Sequence, residues 1–383
     1  MAHGLAKQIV SLLVQNVPPM LFLLAPQIAY SFGVTGILGF TAAGMLSFFL
    51  LRFAASRSNL LVAEQPQLRF AAKFLFLTQS ICYLLMTGKM VLLRSYWNDS
   101  VWFLVALGGV ITAGILLAGR RGHGRWIPVS VILMGMIASV LIPMLVYLNV
   151  SIPTVYSGVH FLAVDTLSLS KPEAWWLFPV FLLGMAVQQC LPFFLGDEAH
   201  PSAQTVPFLL GALLWSFLPV SLGSLAFVAK AQAIWPNQTD QVGILVMEQL
   251  AGQVGNMLFL VSVFAMLVYS AGSVVNKVKE TEGGWKEFAG ALLAAAVIAF
   301  WPDATVLDVF VGFCLAWGPL LSVVLAGRGQ KADLIFMLCG ALVAFVLSLR
   351  QGMVTGILCG TLISALLAGS TRFFRKSPGL GKG

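Results

Sequence analysis

The chain predicts an all-α polytopic membrane protein of about twelve transmembrane helices, in two pseudo-symmetric halves followed by two further helices. Three observations lead there. Hydrophobic residues make up 59% of the chain and charged residues 9%, with a mean hydropathy of +0.93, whereas a soluble domain carries about a quarter charged residues. Apolar stretches of membrane length recur over 8–32, 33–53, 70–93, 101–119, 126–149, 174–195, 205–230, 244–276, 285–301, 305–326, 333–350 and 353–371. Finally, two of these stretches carry helix-breaking and amide residues where Leu and Val would be ordinary: Pro18, Pro19, Pro26 and Gln27 in the first, and Gly184, Gln188, Gln189 and Pro192 in the sixth.

Proline lacks a backbone donor and a glutamine amide is costly in hydrocarbon, so such spans point to freed backbone groups facing a cavity, another helix or a ligand. About 160 residues separate Pro26 from Gln189, the offset expected if each half opens with a discontinuous helix. Along the chain, the second span holds Gly36, Gly39, Ala42, Ala43 and Gly44, small residues that let a neighbour approach closely. The third brings Gln79, Tyr83, Thr87 and Lys89; Lys89 either stands in for a coupling cation or snorkels to the nearby membrane surface. The connection Val150–Pro172 is long enough for a short helix of its own or a gate. Glu248 opens the eighth span as a candidate gating carboxylate, and Ser270 and Ser273 follow three residues apart. Being on one face, they serve either a small cation or a neighbouring helix. In the tenth span Gly318-Pro319 reads as an interruption, and the last two spans read as scaffold or oligomer contacts.

Most of the 22 Lys and Arg cluster on one side of this alternation, from Lys7 and Arg52 through Arg120, Arg121 and Lys277 to Arg375. The net charge of +8 is therefore a topology signal and not a nucleic-acid signal, and it places both termini in the cytoplasm of a bacterial inner membrane protein. The first helix lacks the pattern of a cleaved signal and is expected to stay. The five cysteines have neither disulfide nor metal spacing. His3, His123, His160 and His200 fall in tails or loops, without a catalytic motif, so an enzyme is not expected.

With these residues in view, the chain resembles the sodium/solute symporter family. The likeness rests on LLGMAVQQCLPFFLGDEAHPSAQTV, on GFCLAWGPLLSVVLAGR with its Gly-Pro step, and on AMLVYSAGS. The resemblance implies the leucine-transporter-type five-plus-five inverted repeat with discontinuous helices 1 and 6: residues 1–150, then 151–328, with 329–383 as additional helices and a basic tail. It also implies that Tyr269 and Ser270 match the family's sodium-binding pair, facing the backbone from Ala25 to Ile28.

The expected function is secondary transport of a small polar or zwitterionic solute by alternating access, with sodium as the coupling ion. Gln27, Gln188, Gln189 and Tyr83 would meet the solute, Ala25, Ile28, Ser270 and Ser273 the ion, and Lys89 or Glu248 would couple or gate. No other cofactor is expected; membrane lipid surrounds the protein, and an oligomer or partner subunit is compatible. The alternative is a transport-incompetent relative that acts as a sensor or as the membrane subunit of a complex.

Overall fold

A computed structural model describes residues 9, 13, 19–57, 66–94, 109, 113, 126–169, 171–194, 205–279, 284–326 and 331–375. These contain α1 (Leu21–Arg57), α2 (Pro66–Arg94), α3 (Trp126–Val150), α4 (Ile152–Leu162), α5 (Pro172–Phe194), α6 (Thr205–Ala231), α7 (Val242–Leu250), α8 (Gly252–Lys279), α9 (Trp285–Ala299), α10 (Val306–Ala326), α11 (Lys331–Gln351) and α12 (Met353–Arg375), with short 3-10 turns at Val164–Thr166 and Thr239–Gln241. Among the described residues, eight helices are long and apolar enough to cross a membrane, and the chain is an integral membrane protein. Of the predicted span 101–119, only Gly109 and Ala113 are described, both helical.

The described part of the first segment is off the helical ladder at Pro19–Met20. Ile9 and Leu13 are helical, Pro19 and Met20 form a turn, and a helix begins at Leu21. Pro19 has no backbone donor to offer a preceding turn, in keeping with the turn seen at Pro19–Met20. The ladder of α1 begins with Leu23 N and Leu24 N donating to Met20 O at 2.9 and 2.8 Å. Pro26, by contrast, sits inside α1 without ending it. Gly243 of α7 packs against its ring and beside the Phe22 carbonyl, the acceptor that Pro26 cannot reach.

At Gly33 (φ 69°, ψ −155°) α1 turns back on itself, one residue from the expected division between the first two spans. The positive φ suits glycine, and a Cβ here would collide with the carbonyl oxygen of Thr166. The connection after α3 carries its own helix, α4, and a 3-10 turn. α4, α7 and the two 3-10 turns gather at one end of the bundle, which we term the capped end.

Three expectations need correction. The interruption over Gly184–Pro192 does not occur within α5, which is helical from Pro172 to Phe194. Gly184 is instead a packing position, where a Cβ would lie 2.8 Å from both Cys314 Sγ and Phe310 of α10, and Pro192 falls in the final described turn. Residues 195–204, with the Gly196–His200 stretch, lie outside the described residues. Gly318-Pro319 does not break α10 either: the missing side chain lets Thr361 of α12 approach. The eighth span is two elements, because Gly252 (φ +68°) separates the short α7 from α8.

Phe40 in the second arm of α1 meets Phe181 of α5 edge-on at 5.3 Å, Trp215 of α6 at 6.0 Å and Phe310 of α10 at 6.4 Å. Such rings join hydrophobic burial with directional contacts, and this cluster holds four elements together. On the opposite side, Leu133, Ile137, Leu141, Met144 and Leu148 of α3 are exposed at helical spacing, a stripe suited to lipid. α12 packs on α11 where Gly356 and Gly360 meet Ala344 and Gly340, the close backbone approach that small residues permit.

Replacing Gly33 by Ala combines left-handed strain with a clash at Thr166, and is expected to destabilise the protein by ~2 kcal/mol or more. A thermal unfolding series in detergent, with Gly39→Ala as the comparison at a site where a Cβ meets open space, checks this.

Candidate functional site

The start of α10 is where the capped end is tied together. The first turn of any helix leaves N–H groups without intrahelical partners, and here each of the first three has a different acceptor. Val306 N donates to Asp240 Oδ2 at 3.3 Å, Leu307 N donates to Gln27 Oε1 at 3.0 Å, and Asp308 N donates to Thr305 Oγ1 at 3.3 Å. Asp308 Oδ2 in return accepts from Thr305 N at 3.1 Å, a reciprocal capping box written Thr-Val-Leu-Asp in the sequence. Gln27, 1% exposed, also donates through Nε2 to Thr239 Oγ1 at 3.0 Å. Its amide thus joins α1, the 239–241 turn and α10, and both of its functional atoms are engaged within the protein. Gln27, expected to meet the solute, has this structural role in the fold.

Asp240 is fully buried. Burial pushes its carboxyl up to about 6, opposed by its backbone hydrogen bonds and by the Lys89 charge and reinforced by Asp308. Lys89 is half-buried at the far end of α2, its Nζ 5.6 Å from the Phe300 ring centroid. Of the two roles open to it, the position fits an end-of-helix lysine reaching toward the capped end. Glu248 is exposed on the short α7, ahead of the membrane-length helix Gly252–Gly272.

A second polar cluster lies between α2 and α10. Trp317 Nε1 donates to Gln79 Oε1 at 2.7 Å, and Gln79 Nε2 donates to Tyr83 OH at 2.5 Å. The Tyr83 ring meets Phe313 edge-on at 6.1 Å. All four residues are buried. Tyr83 was expected at the site; Gln79, four residues earlier on the same face, and Trp317 were not assigned to it. The helical spacing of Gln79 and Tyr83 was the available signal, while Trp317 reads in sequence as one more apolar residue.

On α8, Phe259 meets Phe22 of α1 at 6.0 Å. Ser270, eleven residues further, returns to the same face at 100° per residue and lies ~16 Å along the axis, away from the capped end. Ala25 and Ile28 lie on the other side of Phe22, ~5–9 Å toward the capped end, within unbroken helix. By this spacing they and Ser270 fall on opposite sides of the Phe22–Phe259 contact along the bundle axis. Ser270 is half-buried. Tyr269 points elsewhere, lining an apolar groove of about 590 Å³ with Val131 of α3 and Phe264 and Val268 of α8. The backbone at Gln188, Gln189 and Ser273 is helical, but their side chains lie outside what is described.

Truncating Gln79 to Ala leaves the Trp317 N–H bare and takes a donor from the Tyr83 hydroxyl, and is expected to cost about 1–3 kcal/mol. A cycle pairing it with Trp317→Phe should recover about half of that as coupling, measured by chemical unfolding in detergent.

No protein-family model matches the chain, and no curated protein matches it in sequence. Solved structures do share its architecture. A Na+-coupled sialic acid symporter in a substrate-bound, outward-open state aligns with a TM-score of 0.66 at 14% identity, over 97% of this chain and 90% of that one. Mhp1, a nucleobase-cation-symport-1 family transporter, aligns in a closed conformation with bromovinylhydantoin bound, with a TM-score of 0.57 at 16% identity over 97% and 92%. In its inward-facing conformation Mhp1 gives 0.56 at 14% identity over 97% and 90%. The chain thus has the leucine-transporter-type inverted-repeat fold of these symporters.

Proposed function

We propose that this protein is a secondary active transporter that moves a small polar or zwitterionic solute across the membrane by alternating access, coupled to sodium. One observation carries the reading: Pro19 and Met20 form a turn off the helical ladder, inside the bundle and just before the helix that begins at Leu21, with Met20 only 2% exposed. Backbone taken off the helical ladder at membrane depth is tolerated where it lines a cavity or is buried in protein, and paired half-helices are how transporters of this fold class hold solutes and ions. The solute and sodium named for the neighbouring structures support the same class of cargo and coupling.

In this reading the halves run over 1–150 and 151–328, with 329–383 added outside them. The capped end faces away from the cytoplasm and both termini lie on the cytoplasmic side of a bacterial inner membrane, in keeping with the clustered Lys and Arg. Solute lies between the 19–20 break, Tyr83 and Gln79 of α2 and Trp317 of α10, with Gln188 and Gln189 of α5 as further amides. Sodium lies beside Ser270 and Ser273. The exposed apolar faces of α11 and α12 suit lipid or a second subunit.

Purified protein in liposomes is expected to accumulate a small polar solute under an inward sodium gradient and not without one. Ser270→Ala should raise the sodium concentration for half-maximal uptake by ~10-fold, the loss of about 1.4 kcal/mol of ion binding. Uptake indifferent to sodium would remove the coupling. Absence of flux for every solute, together with a tightly co-purifying partner, would turn the reading to a sensor or complex subunit.

A further inference from the structure

Among the described residues, three buried side-chain atoms have no hydrogen-bond partner: Thr87 Oγ1, Asp240 Oδ1 and Gln241 Oε1. Two of these sit on consecutive residues of the 239–241 turn, and both are acceptors. A buried acceptor without a donor is expensive, and a buried carboxylate with one bare oxygen more so. Adding a donor would relieve that cost, and the smallest donor that fits a fully enclosed carboxylate is a proton on Asp240 Oδ1.

We propose that Asp240 is a proton-binding site that latches the capped end: the arrangement with the 239–241 turn closed over the start of α10 is the proton-bound one, and losing that proton drives the turn away. The neutral carboxyl keeps its Oδ2 acceptor for Val306 N and gains an Oδ1–H donor facing a turn that holds a partnerless acceptor, Gln241 Oε1. The ionised form leaves a negative charge inside protein, offset by the helix N-terminus at Val306, its own backbone N–H and Lys89. Lys89 from α2 and Asp308 from α10 are the charged groups acting on Asp240; α1 contributes the neutral Gln27, bonded to Thr239 next to it.

The direction follows from where the proton is held more tightly. In the closed turn the carboxyl titrates near about 6 against an ordinary 3.8, the value it regains when an opened turn is hydrated. Closure is thus fully supported below about pH 4, and that support is lost as pH rises through about 6. Across that window the closed-to-open ratio falls by up to ~100-fold, one factor of ten per unit of difference.

The test does not depend on the transport reading, because it needs no flux. Spin labels are placed at the exposed positions 235 and 301 (Trp235→Cys, Trp301→Cys), on either side of the latch, in a background lacking the five native cysteines. Their distance is measured in liposomes from pH 4.5 to 8, alongside an infrared titration of protonated carboxyl. A single short distance at low pH should give way to a longer population with a midpoint near pH 6. Asp240→Asn should hold the short distance throughout and abolish the matching carboxylic-acid band. Lys89→Met, which removes a charge favouring ionisation, should move the midpoint upward and decides the matter should the Asn variant fail to fold. A distance indifferent to pH, a titration that survives in Asp240→Asn, or a midpoint unmoved in Lys89→Met overturns the proposal.

Discussion

The demand that every backbone donor at a buried helix terminus find an acceptor governs the capped end of this molecule. α10 begins inside the bundle, and its own residues satisfy only part of its first turn, through the Thr305–Asp308 capping box. The rest must come from elsewhere, and it comes from Asp240 and Gln27. Because each donor is backbone, and a stranded buried N–H costs about 1–3 kcal/mol, α1, the 239–241 turn and α10 are held in one mutual arrangement. None of the three can shift alone without leaving a donor bare.

Away from that end, close approach replaces hydrogen bonding as the organising device. Gly44 lies under the Trp215 ring, Gly184 against Cys314 and Phe310, and Gly318 against Thr361. At each position the absent side chain admits a neighbouring helix. Where apolar side chains gain nothing by leaving lipid, packing of this kind and a few polar contacts supply the attraction between helices. The Trp317–Gln79–Tyr83 chain is such a polar contact, and it fixes α2 against α10 at a level where hydrophobicity alone would allow them to slide.

The membrane class, most span limits and the helix carried by the connection after α3 were legible in sequence because they depend on composition and on run length. The turn at Pro19–Met20 was legible too, since proline withholds a ladder donor. Less could be read from single glycines and prolines. Gly184, Gly318 and Pro319 look like breakers in isolation, yet their effect depends on which neighbour comes close, which no local pattern records. Gln27 was recognised as a buried amide, but its partners lie 212 and 280 residues away, so its task as a clamp was invisible. Asp240 was passed over altogether, because an aspartate in a loop ordinarily faces water and here the fold covers it.

The turn at Gly33 joins the two arms of α1 through one non-helical residue. A linker that short has no slack to absorb, so a tilt of the first arm is transmitted to the second, and through the second to α6 and the Trp215 ring that lies upon it. With the carbonyl of Thr166 pressed against that turn, the arms of α1 and the Trp215 ring form one continuous packed path across the bundle, with no flexible joint along it.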